Sequence, residues 1–361
     1  ATKANHNQNV TTRENAFFIE TIPLLTSPTE SPNPGGWGET FFFNVTATDL
    51  DNDTMTVYFW TRKQGNNWPA SPTATNSSVK GEGVIVSFSR TFSSGDIDTW
   101  EYKFNATEDD AGQTHETAVN TFVVEPDDIQ IELTAGNSSS VFRPDSQNPN
   151  NITLTVRVLD TDKNQYVDSG YQGRFWITSD HGTTSTIESS PTTDASGYLN
   201  LSIYNPGCSY QVGSQNWVAG LTTNTIYKDA NSSTLNLTIN TLPLDANLTS
   251  PMDATNFRRG IDTIPVRGNV TDDCGLVSGA TVVMSSERGS NLYLCSPVTD
   301  HGTGNYTCNI TAADHVSRAI GLYNTTINAT KAFYNGSGTD KVLDAFYLAT
   351  PPSLTSPTVP S

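Results

Sequence analysis

Residues 39–49, "ETFFFNVTATD", decide the fold class. Phe41, Phe43 and Val45 fall on one face of an extended chain and Asn44 and Thr46 on the other, because successive side chains of a β-strand point to opposite sides. The alternation recurs in "GYLNLSIY" (197–204), where Leu199, Leu201 and Ile203 oppose Asn200 and Ser202. It recurs again in "STLNLTIN" (233–240), where Leu235, Leu237 and Ile239 oppose Asn236 and Thr238. Each stretch predicts a strand with an apolar inner face and a polar outer one.

Working outward, residues 39–125 hold five such stretches: "ETFFFNVTATD", "TMTVYFWTRK", "GVIVSFSRTF", "TWEYKFNATE" and "TAVNTFVVE". Turn-rich segments such as "LDND", "GNNWPASPT" and "SSGDID" separate them. Short strands at close spacing without helical periodicity predict a β-sandwich. Composition agrees: aromatics are 9% of 361 residues, charged residues only 16%, and 26 glycines and 19 prolines punctuate the chain. The net charge of -18 carries no basic stripe, which excludes nucleic acid as a partner. No stretch approaches 18 apolar residues and no signal-peptide run opens the sequence, so no transmembrane segment is expected here.

The two ends repeat each other. Ala1-Thr2-Lys3-Ala4 matches Ala329-Thr330-Lys331-Ala332, and Ala16-Phe17-Phe18 matches Ala345-Phe346-Tyr347. Leu25-Thr26-Ser27-Pro28-Thr29 matches Leu354-Thr355-Ser356-Pro357-Thr358. The period of about 329 residues is close to the length of an all-β chain of three sandwiches in series. Residues 1–20 read as the last strands of a preceding third-type module, followed by modules at 21–128, 129–242 and 243–349. Residues 350–361 then read as the start of the next repeat. Either the chain is a window on a longer tandem polypeptide, or subunits lend a terminal strand to a neighbour. Both make a head-to-tail linear polymer, with other copies of the chain as partners.

Module one resembles the PKD-like and immunoglobulin-like (Ig-like) domains of archaeal and bacterial surface proteins, through Trp37, Phe41, Phe43, Val45, Asp49, Asp51, Asp53 and Val57. Modules two and three are similar to each other and to invasin-type and carboxypeptidase-regulatory-like domains. "VRVLDTDKNQYVDSGYQGRFWITS" parallels "VRGNVTDDCGLVSGATVVMSS", and "TTDASGYLNLSI" parallels "VTDHGTGNYTCNIT". Those domains carry a V-x-D-x-x-G-x-x-V-x-G-A-x-V motif, from which the third module departs by one residue, since only Leu276 separates Gly275 from Val277. The resemblance implies spacers, stalks or lattice units of a cell surface.

The glycosylation sequon Asn-X-Ser/Thr occurs seventeen times, about twice the chance expectation. The asparagines are Asn9, Asn44, Asn52, Asn76, Asn105, Asn137, Asn151, Asn200, Asn231, Asn236, Asn247, Asn269, Asn305, Asn309, Asn324, Asn328 and Asn335. Strand geometry puts several of them on outer faces, and covalent N-glycans are expected. Cys295 and Cys308 are equidistant from the His301–Gly302 midpoint. If that segment is a hairpin, they face each other across adjacent strands and can form a disulfide. Cys208 and Cys274 remain to tie two modules together; the alternative is four buried thiols.

"DLDND" sets Asp49, Asp51 and Asp53 at alternate positions near Glu108, Asp109 and Asp110, an oxygen set suited to Ca2+. A solvated acidic turn is the competing reading, and Asn52 begins a sequon within it. Asp160 with Asp162, and Asp272 with Asp273, form weaker sets. No other cofactor and no catalytic residue is expected. No HExxH, G-x-S-x-G or phosphate-binding loop is present, and the runs Ser179-Asp180-His181 and Thr299-Asp300-His301 sit at turns. Trp60, Trp68, Trp176 and Trp217 would serve as a sugar platform or, more ordinarily, as core and interface anchors. The sequence thus predicts an extracellular, cell-surface structural glycoprotein of a filament, sheath or S-layer, not an enzyme. An adhesin that binds a glycan or another cell is the alternative.

Overall fold

The computed structural model describes residues 20–110, 112–144, 148–182, 185–204, 206–350 and 352. Asn9 and one copy of each matching stretch, at 1–4, 16–18 and 354–358, lie outside the described residues. The first strands are β1 (Leu24–Ser31), β2 (Gly35–Gly36), β3 (Thr40–Thr48), β4 (Thr54–Lys63), β5 (Ala74–Lys80), β6 (Val84–Thr91), β7 (Asp98–Glu108), β8 (Thr114–Glu116) and β9 (Asn120–Glu125). They form two sheets, β1-β3-β6 and β2-β9-β7-β4-β5, with β8 on β7. Apolar alternation explains the packing. Phe41, Phe43, Val45 and Ala47 of β3 are buried, as are Met55, Val57 and Phe59 of β4 and Trp100, Tyr102, Phe104 and Ala106 of β7. Phe43 meets Phe59 of the opposite sheet at 4.6 Å and Phe122 at 5.0 Å between ring centroids.

The next strands are β10 (Ile129–Ala135), β11 (Ser139–Phe142), β12 (Asn151–Asp160), β13 (Gln165–Tyr166), β14 (Gly173–Thr178), β15 (Ser185–Ser189), β16 (Tyr198–Tyr204), β17 (Gly213–Leu221), β18 (Ala230–Asn231) and β19 (Leu235–Asn240). The last are β20 (Asp245–Ser250), β21 (Thr255–Arg258), β22 (Ile264–Asp272), β23 (Gly275–Leu276), β24 (Thr281–Arg288), β25 (Asn291–Cys295), β26 (Thr299–Asp300), β27 (Asn305–Ile310), β28 (Gly321–Thr330) and β29 (Gly338–Ala349). A short α-helix, α1 (Ala312–His315), precedes β28, and a 3-10 turn at Ser94–Asp96 precedes β7.

All three sheet pairs share one strand order. The sheet β1-β3-β6 corresponds to β10-β12-β16 and to β20-β22-β27. The sheet β2-β9-β7-β4-β5 corresponds to β11-β19-β17-β14-β15 and to β21-β29-β28-β24-β25. In each, the second strand runs parallel to the last: β2 with β9, β11 with β19, and β21 with β29. This is an Ig-like all-β arrangement, with two sheets enclosing one core. The sheets approach closely where glycine permits. A Cβ on Gly173 of β14 would lie 2.4 Å from Leu199 of β16, and one on Gly268 of β22 would lie 2.6 Å from Ile327 of β28.

By compactness the chain divides into two units. One holds the described residues up to 130 with 159–165 and 223–229; the other holds 131–158, 166–222 and the rest from 230.

Both cysteine pairs are bonded, Cys208 to Cys274 and Cys295 to Cys308. The expected geometry of the second needs correction. Cys295 lies in β25, opposite Met284, and Cys308 lies in β27, opposite Val266. The hairpin is confined to β26 and β27. The bond therefore joins the two sheets of the last sandwich through its core rather than neighbouring strands of one sheet.

Candidate metal centre

At one end of the first sandwich an acid in the inward phase directly follows β3, and another ends β7. Along β3 the buried series Phe41, Phe43, Val45, Ala47 continues to Asp49. Along β7 the series Trp100, Tyr102, Phe104, Ala106 continues to Glu108. Each acid is only 1% exposed. The β3–β4 turn adds Asp51 and Asp53, the β7–β8 turn adds Asp110, and Glu20 arrives from the segment leading into β1.

Three overlapping carboxylate triads result: Asp49, Asp51 and Glu108; Glu20, Asp51 and Asp53; and Glu20, Glu108 and Asp110. Within each, one oxygen per residue lies within 4.8 Å of the others. Hydrogen bonds fix one oxygen of two of these groups. The Thr21 amide donates to Asp51 Oδ2 at 2.6 Å, the Thr21 hydroxyl to Asp49 Oδ1 at 3.3 Å, and the Asp51 amide to the same Asp49 oxygen at 3.1 Å. Five buried oxygens then have no hydrogen-bond partner: Asp49 Oδ2, Asp51 Oδ1, Asp53 Oδ2 and both Oε atoms of Glu108. Asn52, the sequon residue within the turn, is exposed at φ 65°.

The electrostatics follow from crowding. Burial first, then the charges of Asp49, Asp51, Asp110 and Glu20, push the Glu108 carboxyl up to about 7. Burial raises Asp49 as well. Loss of solvent and neighbouring carboxylates raise Asp53 and Glu20. Asp51 is held low by hydrogen bonds, first with Asp49 and then from the Thr21 amide.

The weaker acidic sets are built differently. Near Glu39, Asp127 and Asp162, the Lys163 ammonium pairs with Asp127 and with Asp160 at 2.7 Å, 3.6 Å from the Trp37 ring centre. In the second unit Arg143 bridges Asp272 at 2.8 Å and Asp273 at 2.7 Å, and Tyr334 donates to Asp272 at 2.7 Å. Each of these sets contains its own cation.

The remaining sequence candidates are dispersed. None of the sixteen described sequon asparagines is buried; Asn44, Asn105, Asn269, Asn324 and Asn328 are partly covered and the others exposed. His181 stacks on Phe333 at 5.0 Å, and His301 Nε2 shares a 2.8 Å hydrogen bond with Thr307. Trp176 and Trp217 line one cavity of about 330 Å³ in the second unit, whereas Trp60 and Trp68 belong to the first. Trp217 is buried, Trp60 donates to Asn105, and Trp68 lies between Arg62 and Lys103. No described helix is long and apolar enough to cross a membrane.

No family model matches the sequence, and no curated protein does. Among solved structures, the chain is similar to the PKD domain of an M14-like peptidase from a Thermoplasmatales archaeon. The identity is 20%, over 28% of this chain and 90% of that one, with a TM-score of 0.19. It is also similar to a Salmonella alpha-2-macroglobulin, at 11% identity over 92% of this chain and a TM-score of 0.24. This chain spans 25% of that protein's length.

Proposed function

We propose that the protein is an extracellular structural glycoprotein of a cell-surface filament, sheath or S-layer, assembled head to tail from Ig-like sandwiches. The observation that carries this reading is what the repeated sequence encodes. Its copy at Ala329–Ala332 begins on the last two residues of β28, its copy at Ala345–Tyr347 lies within β29, and its copy at Leu25–Thr29 lies in β1. The described copies thus belong to the last strands of one sandwich and the first strand of another. Strands of this kind need a sheet to complete them. Two disulfides suit an oxidising exterior, and none of the sixteen described sequon asparagines is buried, which leaves room for glycans.

Electrophoresis, intact mass and negative-stain microscopy of the native surface material test the reading together. Filaments or sheets, subunits well above the 39.0 kDa polypeptide mass, and hexose-bearing peptides at the sequons are expected. A single unmodified monomer that never polymerises overturns it. The adhesin reading has one feature in its favour, a cleft of about 640 Å³ in the second unit lined by Tyr210, Lys331, Phe333 and Tyr334. Saturable binding to one structure on a glycan array would support it.

A further inference from the structure

We propose that the first unit binds one Ca2+ among Asp49, Asp51, Asp53 and Glu108, with Glu20 and Asp110 at the rim, and that the ion clamps the segment entering β1 onto the sandwich. The inference goes beyond the structural role above and stands independently of it.

The acidic cluster alone would not carry it. What does is Glu108, nearly inaccessible to solvent, with both oxygens unpartnered and facing four other acids. Buried carboxylates without a donor or a countercharge are strongly unfavourable. The same chain solves that problem elsewhere with Lys163 and with Arg143. Among the described residues neither oxygen of Glu108 has a hydrogen-bond partner, and the Lys80 charge lowers Asp53. A cation is the missing partner. The donors are all carboxylate oxygens, with no imidazole or thiolate among the clustered groups. That set selects a hard ion, and five unpartnered oxygens plus two rim acids match the six to eight ligands of Ca2+. Glu20 and Thr21 give the site its consequence. One contributes a carboxylate, and the other donates to two of the ligating aspartates.

Calorimetric titration of the chelator-stripped full chain with CaCl2 tests the site, with thermal unfolding and amide exchange on the same samples. One Ca2+ per chain, a raised Tm and slower exchange at the Thr21 amide are expected. Glu108→Gln should weaken Ca2+ binding at least about tenfold while the metal-free protein keeps its circular dichroism. Asp53→Asn, on a turn, should also weaken it, and Asp162→Asn, beside Lys163, should not. Absence of heat and of any Tm change up to about 10 mM Ca2+ overturns the site, since extracellular modules bind within that range. So does wild-type affinity in both Glu108→Gln and Asp53→Asn. An equal response to Mg2+ overturns the choice of ion, and binding that leaves Thr21 exchange unchanged overturns the clamp.

Discussion

Glu108 sits where a hydrophobic residue belongs, at the inward-facing end of β7. In "TWEYKFNATE" the inward phase runs Trp100, Tyr102, Phe104, Ala106, Glu108, and the phase of "ETFFFNVTATD" ends the same way at Asp49. An acid that continues an apolar alternation is a legible sign of a buried carboxylate. Glu20 was not legible, because nothing in strand periodicity brings a residue preceding β1 to the β3–β4 turn. The pH response follows from the raised acid. In metal-free protein Glu108 titrates near 7 rather than at its ordinary 4.5. The folded state then holds that proton more tightly than the unfolded chain, so its stabilising contribution is full below 4.5 and is lost as pH rises through about 7. Thermal unfolding with chelator should show Tm falling over this window in the wild type and less so in Glu108→Gln. Ca2+ competes with the same proton, so the Tm gain from added CaCl2 should grow over the same rise in pH.

Among the strands, those with clean alternation were predictable and the polar edges were not. β5, "ATNSSVK", is mostly exposed and carries no apolar period, and it pairs with β4 as the edge of its sheet. β1 was hidden because its register slips between Thr26 and Thr29, around Pro28. The cysteine pairing was legible, but the path of the Cys295–Cys308 bond was not. Equal spacing around His301 suggested one hairpin, whereas Ser296-Pro297-Val298 carries the chain from one sheet to the other. The Cys208–Cys274 bond spans 66 residues within the second unit. Replacing both cysteines by serine should cost about 4 kcal/mol on the chain-entropy scale, read from the shift in denaturant midpoint. Where the last two sheets meet, a methyl at Gly268 would also lie 2.7 Å from the Asn247 carbonyl oxygen. Gly268→Ala should therefore lose about 1–3 kcal/mol in the same measurement.

At the level of architecture, the kinship of the second and third sandwiches was readable from their matching acidic and Thr-Asp turns. Their likeness to the first was not, because a strand order is set by pairings that turn motifs do not record. All three repeat the order in full, down to the parallel contact between the second strand and the last. That contact is four residue pairs long in β11–β19 and in β21–β29, and two in β2–β9, where Gly35 and Gly36 supply it. Tension drawn along the backbone loads such a pair in shear, so its hydrogen bonds must rupture together instead of unzipping singly. Single-molecule stretching should accordingly show two higher rupture peaks and one lower, the lower belonging to the first sandwich. A load-bearing thread would then have its mechanical fuse at the glycine pair, with the other two sandwiches still intact when it yields.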